Sequence, residues 1–175
     1  INHKRFNNAY MQYASTSPFY PLFASLDINA KMQEGELGEK LWNDCLTVST
    51  NARKKIIEKC KYIRPFIPET VQGKNWEEAS TDEIISNLEY WKFNPDEKWH
   101  GFNGYGKDQY YIDPNKFLLT TPGIDSKDDS YMNFGIPAVI LANYLRENGI
   151  VPEKNDLNSI LFLMTPAEDL SLIHI

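Results

Sequence analysis

Apolar residues recur at spacings of three and four from Leu37 through Leu41, Cys45, Val48, Ala52, Ile56 and Cys60. This lays one apolar stripe along a long helix that ends near Lys61. Gly35 and Gly38 mark the break before it, and residues 22–33 read as a separate helix. Further upstream, residues 6–13 read as a strand or a strand edge, followed by a loop over residues 14–18. Pro65 and Pro68 open a loop-rich section in which Trp76, Tyr90, Trp91, Trp99 and Phe102 follow no helical period. A short helix is predicted inside it at residues 81–88.

Residues 110–112 and 116–121 read as strand segments broken by Asp113-Pro114, and Pro122-Gly123 is a turn. Pro137 suits the first turn of a helix carrying Val139, Ile140, Ala142 and Leu145, and Gly149 suits its end. The apolar run 158–164 is a buried strand, and Thr165-Pro166-Ala167-Glu168 is a capping box that starts another helix. These elements mix helices and strands.

Composition narrows the function classes. With 42% apolar residues over 175 positions the chain can bury a core. A formal net charge of −6 leaves no basic footprint, which argues against nucleic acid as a partner. The charged clusters 53–55, 96–98 and 127–129 are short and read as solvated faces. No apolar run approaches the roughly 20 residues that span a bilayer, and no charged-then-apolar leader follows Ile1. Cys45 and Cys60 share one helical pattern without metal spacing and read as reduced thiols, which suits a cytoplasmic enzyme.

Few residues carry chemistry on their own type and spacing. Ser15, Thr16 and Ser17 put three adjacent hydroxyls on one loop, able to donate to a phosphate, although Ser/Thr-Pro loops are common turn chemistry. Glu153 precedes Lys154 and by itself reads as half of a surface ion pair. His100, within Trp99-His100-Gly101-Phe102, reads as a hydrogen-bonded structural histidine. Gly101, Gly104 and Gly106 lack the strand-to-helix setting of a nucleotide-binding loop. His3-Lys4 is the one His-Lys pair and reads as a surface basic patch.

Two long segments change these readings. Residues 8–32, NAYMQYASTSPFYPLFASLDINAKM, and residues 120–168, TTPGIDSKDDSYMNFGIPAVILANYLRENGIVPEKNDLNSILFLMTPAE, closely resemble the bacterial biodegradative ornithine/lysine/arginine decarboxylases. These are pyridoxal-phosphate (PLP) enzymes of the aspartate-aminotransferase fold type. The resemblance runs from residue 1 to about Asp169 and is nearest to the inducible ornithine members. It implies an α/β architecture and an internal fragment: residues 1–34 close the large PLP-binding domain, residues 35–169 form most of the smaller α+β domain, and residues 170–175 are a non-native tail.

It further implies that the lysine carrying PLP lies upstream, so that no catalytic residue belongs to the fragment and the isolated chain is inactive. Ser15, with Thr16 and Ser17 beside it, would meet the PLP phosphate of the neighbouring subunit. Glu153 would contact the distal amine of the substrate. The parent enzyme would convert ornithine to putrescine and CO2 as a homodimer or higher homo-oligomer with a shared site. Lysine or arginine decarboxylation and a catalytically inactive binding or regulatory homologue are the alternatives. Asn115 and Asn155 stand where close relatives are expected to have Cys, which marks a divergent member.

Overall fold

The computed structural model describes residues 2–15, 17–125 and 127–166. It forms two compact units, residues 1–40 and 41–175. The expected capping box lies partly outside the described residues, since Ala167 and Glu168 are beyond them, and so does the tail 170–175.

The first unit is helical. α1 (His3–Tyr13) occupies the segment expected to be a strand. Asn2 explains the difference, because its Oδ1 accepts from the backbone N–H groups of Lys4 at 3.1 Å and Arg5 at 3.2 Å and so caps a helix. Phe6, Tyr10 and Tyr13 are spaced by four and three, which is helical rather than alternating. α2 (Tyr20–Met32) follows with Pro21 in its first turn. α1 and α2 bury no residue.

α3 (Gly35–Lys59) begins after a turn at Gln33 and Glu34. Gly38 is needed there, since a Cβ at this position would fall 2.1 Å from the Gln33 carbonyl oxygen. Leu37, expected on the apolar stripe, is exposed. Cys45 and Val48, further along the stripe, are buried.

The second unit is built on a four-stranded antiparallel sheet. Its members are β1 (Arg64–Pro65), β4 (Lys116–Thr120), β5 (Lys154–Asn155) and β6 (Ser159–Leu163), in the order β1-β4-β6-β5. β2 (Thr70–Val71) and β3 (Lys74–Asn75) make a separate two-stranded ribbon.

The register places Phe117 opposite Phe162 and Leu119 opposite Ile160, so these four side chains share one face. α3 packs on that face through Cys45 and Val48 against Phe117, Leu119 and Met164. α5 (Ala138–Glu147) packs beside it through Ala138 and Ala142 against Ile160. The unit is therefore mixed α and β, with two helices on one side of an antiparallel sheet. Two expectations hold closely: residues 116–121 and 158–164 supply β4 and β6. Pro137 caps α5, and Gly149 follows its end in the left-handed region at φ 82°.

Between β1 and β4 the chain forms a second, aromatic core. Trp76 and Trp91 meet edge to face, their ring centroids 5.7 Å apart. Both indole N–H groups are satisfied, Trp76 Nε1 donating to Tyr90 O at 3.1 Å and Trp91 Nε1 to Ile84 O at 2.9 Å. The predicted helix here is shorter: α4 (Thr81–Ser86), capped by Ser80, gives way to a 3-10 turn at Leu88–Trp91. Residues 110–112 do not form a strand and contribute one bridge, Tyr111 to Lys92.

Within cluster 53–55, Lys55 is exposed as expected but Arg53 is not solvated. Arg53 is 1% exposed. It donates to the carbonyls of Ser49 at 3.3 Å and Lys116 at 3.2 Å, and to the Ser49 hydroxyl. Burial pulls its guanidinium down to about 9, against the opposing pull of Asp113.

Candidate functional site

The hydroxyl loop lies between α1 and α2. Ser15 and Ser17 are both exposed, and Ser15 Oγ donates to the Ser17 carbonyl at 3.4 Å. A contact that long is weak and readily redirected to a better acceptor. Phe19, the cap of α2, offers no side-chain acceptor, and the first turn of α2 contains no acidic residue. An anion at this end of the helix meets no competing carboxylate from α2. Available hydroxyls before such a helix suit a phosphate, so the residues present fit the phosphate group of PLP. Thr16 lies outside the described residues. His3 and Lys4 are exposed in the first turn of α1.

Glu153 belongs to the other unit. It follows the segment Gly149–Pro152 that leaves α5, and Pro152 is buried while Glu153 is exposed. Its backbone N–H donates to Leu161 O at 2.9 Å, which fixes its position against β6. Its carboxylate joins no ion pair among the described residues, Lys154 included. The carboxylate is thus available to a cation from outside.

His100 is buried and fully engaged. Nδ1 accepts from the Phe102 backbone N–H at 3.0 Å, and Nε2 lies 2.9 Å from both Asn94 O and the Tyr105 hydroxyl. The Phe102 bond leaves Nδ1 unprotonated and puts the proton on Nε2, facing Asn94 O. Phe93 and Trp99 close over the ring with centroids at 5.3 Å and 5.0 Å. It is the structural histidine expected from sequence.

Two concavities lie in the second unit. An apolar groove of about 480 Å³ lies between α3, α5 and the sheet, lined by Ile56, Phe117, Leu141, Leu145 and Phe162 among others. A more polar cleft of about 540 Å³ lies beside the β1 and β4 pairing and includes Arg64, Thr121 and Asn158. Arg64 and Thr121 stand 57 positions apart in the chain and Thr121 and Asn158 another 37, so no single local motif joins the three.

Comparison with known proteins covers nearly all of the chain. The family model for "Orn/Lys/Arg decarboxylase, major domain" matches residues 1–171. The chain is 61% identical over 171 residues to the ornithine decarboxylase of Haemophilus influenzae, covering 98% of this chain and 24% of that one. It is 59% identical to the inducible ornithine decarboxylase of Escherichia coli, covering 98% and 23%, and 36% identical to the inducible lysine decarboxylase of the same organism, covering 94% and 22%. Among solved structures, the Escherichia coli constitutive lysine decarboxylase matches with a TM-score of 0.73 and the Francisella novicida lysine decarboxylase with 0.76. Each is 30% identical, and each match covers 99% of this chain and 23% of the other. The chain spans about a quarter of the length of the curated relatives it matches. It belongs to the Orn/Lys/Arg decarboxylase family.

Proposed function

We propose that this chain is part of a PLP-dependent decarboxylase that converts ornithine to putrescine and CO2. The gap in identity carries the reading: 61% and 59% to ornithine decarboxylases against 36% to a lysine decarboxylase. Residues 1–34 close the PLP-binding domain, residues 35–169 form the smaller α+β domain, and the lysine that carries PLP lies on another part of the protein.

Ser15, with Thr16 and Ser17 beside it, would donate its hydroxyl to the phosphate of PLP held by the neighbouring subunit. When bound, PLP supplies an electron sink for the bond to the departing carboxylate. Glu153 accepts a charge-assisted hydrogen bond from the distal ammonium of the substrate, and its distance from the cofactor selects the chain length of the amino acid. Because Ser15 serves a neighbour, activity requires a homodimer. Such an enzyme works in the cytoplasm.

The test is a comparison of ornithine, lysine and arginine as substrates of the complete protein, read as CO2 release. Ornithine is expected to lead in kcat/KM by at least about tenfold, the scale that one differential contact supplies. A preference for lysine or arginine overturns the substrate, and no turnover of any of the three by PLP-loaded protein favours a binding or regulatory homologue. The 175-residue chain alone is expected to turn over none of them.

A further inference from the structure

We propose that Asn103, in the exposed loop over residues 101–106, is a site of spontaneous covalent modification, in which the backbone nitrogen of Gly104 displaces its side-chain amide. The chain contains two Asn-Gly pairs, Asn103-Gly104 and Asn148-Gly149. The structure leaves the first open to this reaction and closes the second.

The step runs as follows in atoms. The Gly104 nitrogen loses its proton to water or hydroxide and forms a bond to Asn103 Cγ. The Cγ–Nδ2 bond breaks, and the amide leaves as ammonia, which takes up a proton. A five-membered succinimide remains. Water opens the ring at one of its two carbonyls, giving aspartate or isoaspartate, and the main chain of isoaspartate runs through Cβ and Cγ. The reaction needs an unpaired attacking N–H, an amide side chain free to turn towards it, and no bulk on the attacking residue.

Asn103 meets all three needs. It is exposed and lies outside helix and strand. Among the described residues its side chain has no hydrogen-bond partner, and the Gly104 N–H donates to no backbone carbonyl. Gly104 sits in the left-handed region at φ 79°, and a Cβ built there would meet nothing within 4 Å, so the approach to its nitrogen is clear. The flanks are tied down. On one side the Phe102 N–H donates to His100 Nδ1 at 3.0 Å, and on the other the Tyr105 hydroxyl lies 2.9 Å from His100 Nε2. The Gly106 N–H donates to Gln109 Oε1 at 2.9 Å. The loop is therefore anchored around the pair and leaves the pair itself unheld.

Asn148-Gly149 is the internal contrast. Asn148 is as open to water as Asn103 in class, since both are exposed, so access alone does not separate them. Hydrogen bonds do. Asn148 Nδ2 donates to the Tyr144 carbonyl at 2.8 Å, and the Gly149 N–H donates to the Arg146 carbonyl at 3.1 Å. The Asn148 N–H adds bonds to Tyr144 O at 3.2 Å and Leu145 O at 3.0 Å. Both the leaving amide and the attacking nitrogen thus belong to the cap that ends α5, and reaction must wait for that cap to open.

The test is to hold the complete protein at mildly alkaline pH, digest it briefly and follow the amide-to-acid mass change in the two peptides. In the native protein Asn103 is expected to convert at least about tenfold faster than Asn148, because Asn148 reacts only from an opened cap. In denaturing urea the two should convert at similar rates. Labelling by an isoaspartyl methyltransferase should fall on the Asn103 peptide. Asn103→Gln, whose longer side chain closes the ring far less readily, should remove both signals from it. Conversion of Asn148 as fast as Asn103 in the native protein overturns the proposal. So does a native Asn103 that stays unconverted over a period in which the denatured protein reacts.

Discussion

The guanidinium carbon of Arg53 lies 4.6 Å from the centroid of the Phe117 ring and 5.2 Å from that of Trp91. Phe117 belongs to the sheet core and Trp91 to the aromatic core, so one side chain of α3 joins the two. Arg53→Ala is expected to lower stability by about 3 kcal/mol, the usual scale for emptying a buried large side-chain site. Arg53→Met keeps the stem and gives up the hydrogen bonds, and its loss should be smaller, about 1 kcal/mol. Urea unfolding of the two variants checks the order, and equal losses would remove the packing role.

Tyr90 gives the fold an alkaline limit. Its hydroxyl donates to Glu83 Oε1 at 2.6 Å, and that bond, burial and the Glu83 charge push its pKa up to about 12. An unfolded tyrosine ionises near 10, so the folded state holds this proton more tightly. The contribution is complete below about pH 10 and is lost as pH rises from there towards 12. Tyr90→Phe should flatten the fall of Tm between pH 9.5 and about 11.5 relative to wild type. Parallel curves would show that Tyr90 contributes nothing there.

Gly135 and Gly123 hold two arms of one loop together. A Cβ on Gly135 would meet Gly123 Cα at 3.2 Å and Pro122 O at 3.3 Å, beside the Ile136 to Pro122 hydrogen bond of 2.8 Å. Gly135→Ala should cost about 1–2 kcal/mol through this overpacking. Gly106→Ala is the comparison, since its added methyl would approach only the end of the Gln109 side chain, at 3.4 Å or more. Thermal melts should separate the two variants clearly.

Glu153→Gln, made in the complete protein, should raise KM for ornithine by about tenfold or more while Tm stays within experimental error. The reason is that an exposed carboxylate contributes little to folding and a charge-assisted contact contributes much to binding. Unchanged kinetics would return Glu153 to an ordinary surface role.

If Ser15 holds the phosphate as proposed, Ser15→Ala should weaken PLP retention severalfold, measured by dialysis of the assembled protein, through loss of one hydroxyl donor. Unaltered cofactor affinity would take Ser15 out of the site.

The long-range frame was readable where the pattern was strong. Cys45, Val48 and Ala52 declare α3, and the apolar run at residues 158–164 declares β6, because both signals come from burial along one element. α1 is hard to read from sequence because the aromatic content of residues 6–13 suits a strand and masks the cap at Asn2 and the four-then-three spacing of Phe6, Tyr10 and Tyr13. Arg53 is hidden for a different reason. A charge between Ala52 and Lys54 looks solvated until Ser49, Lys116 and two rings from elsewhere in the chain surround it. The Arg64 cleft is the extreme case, since it takes the pairing of β1 with β4 and of β4 with β6 to bring its members together.

β1 and β5, the outer strands of the sheet, are two residues each, and they consist of Arg64-Pro65 and Lys154-Asn155. Proline cannot donate to a further ladder, and a charged, very short edge offers little to pair with. The sheet therefore resists growing by strand addition. A peptide or second chain seeking this unit must come to a helix, a loop or a face of the sheet, and the short edges are guarded against the self-association that open β-sheets invite.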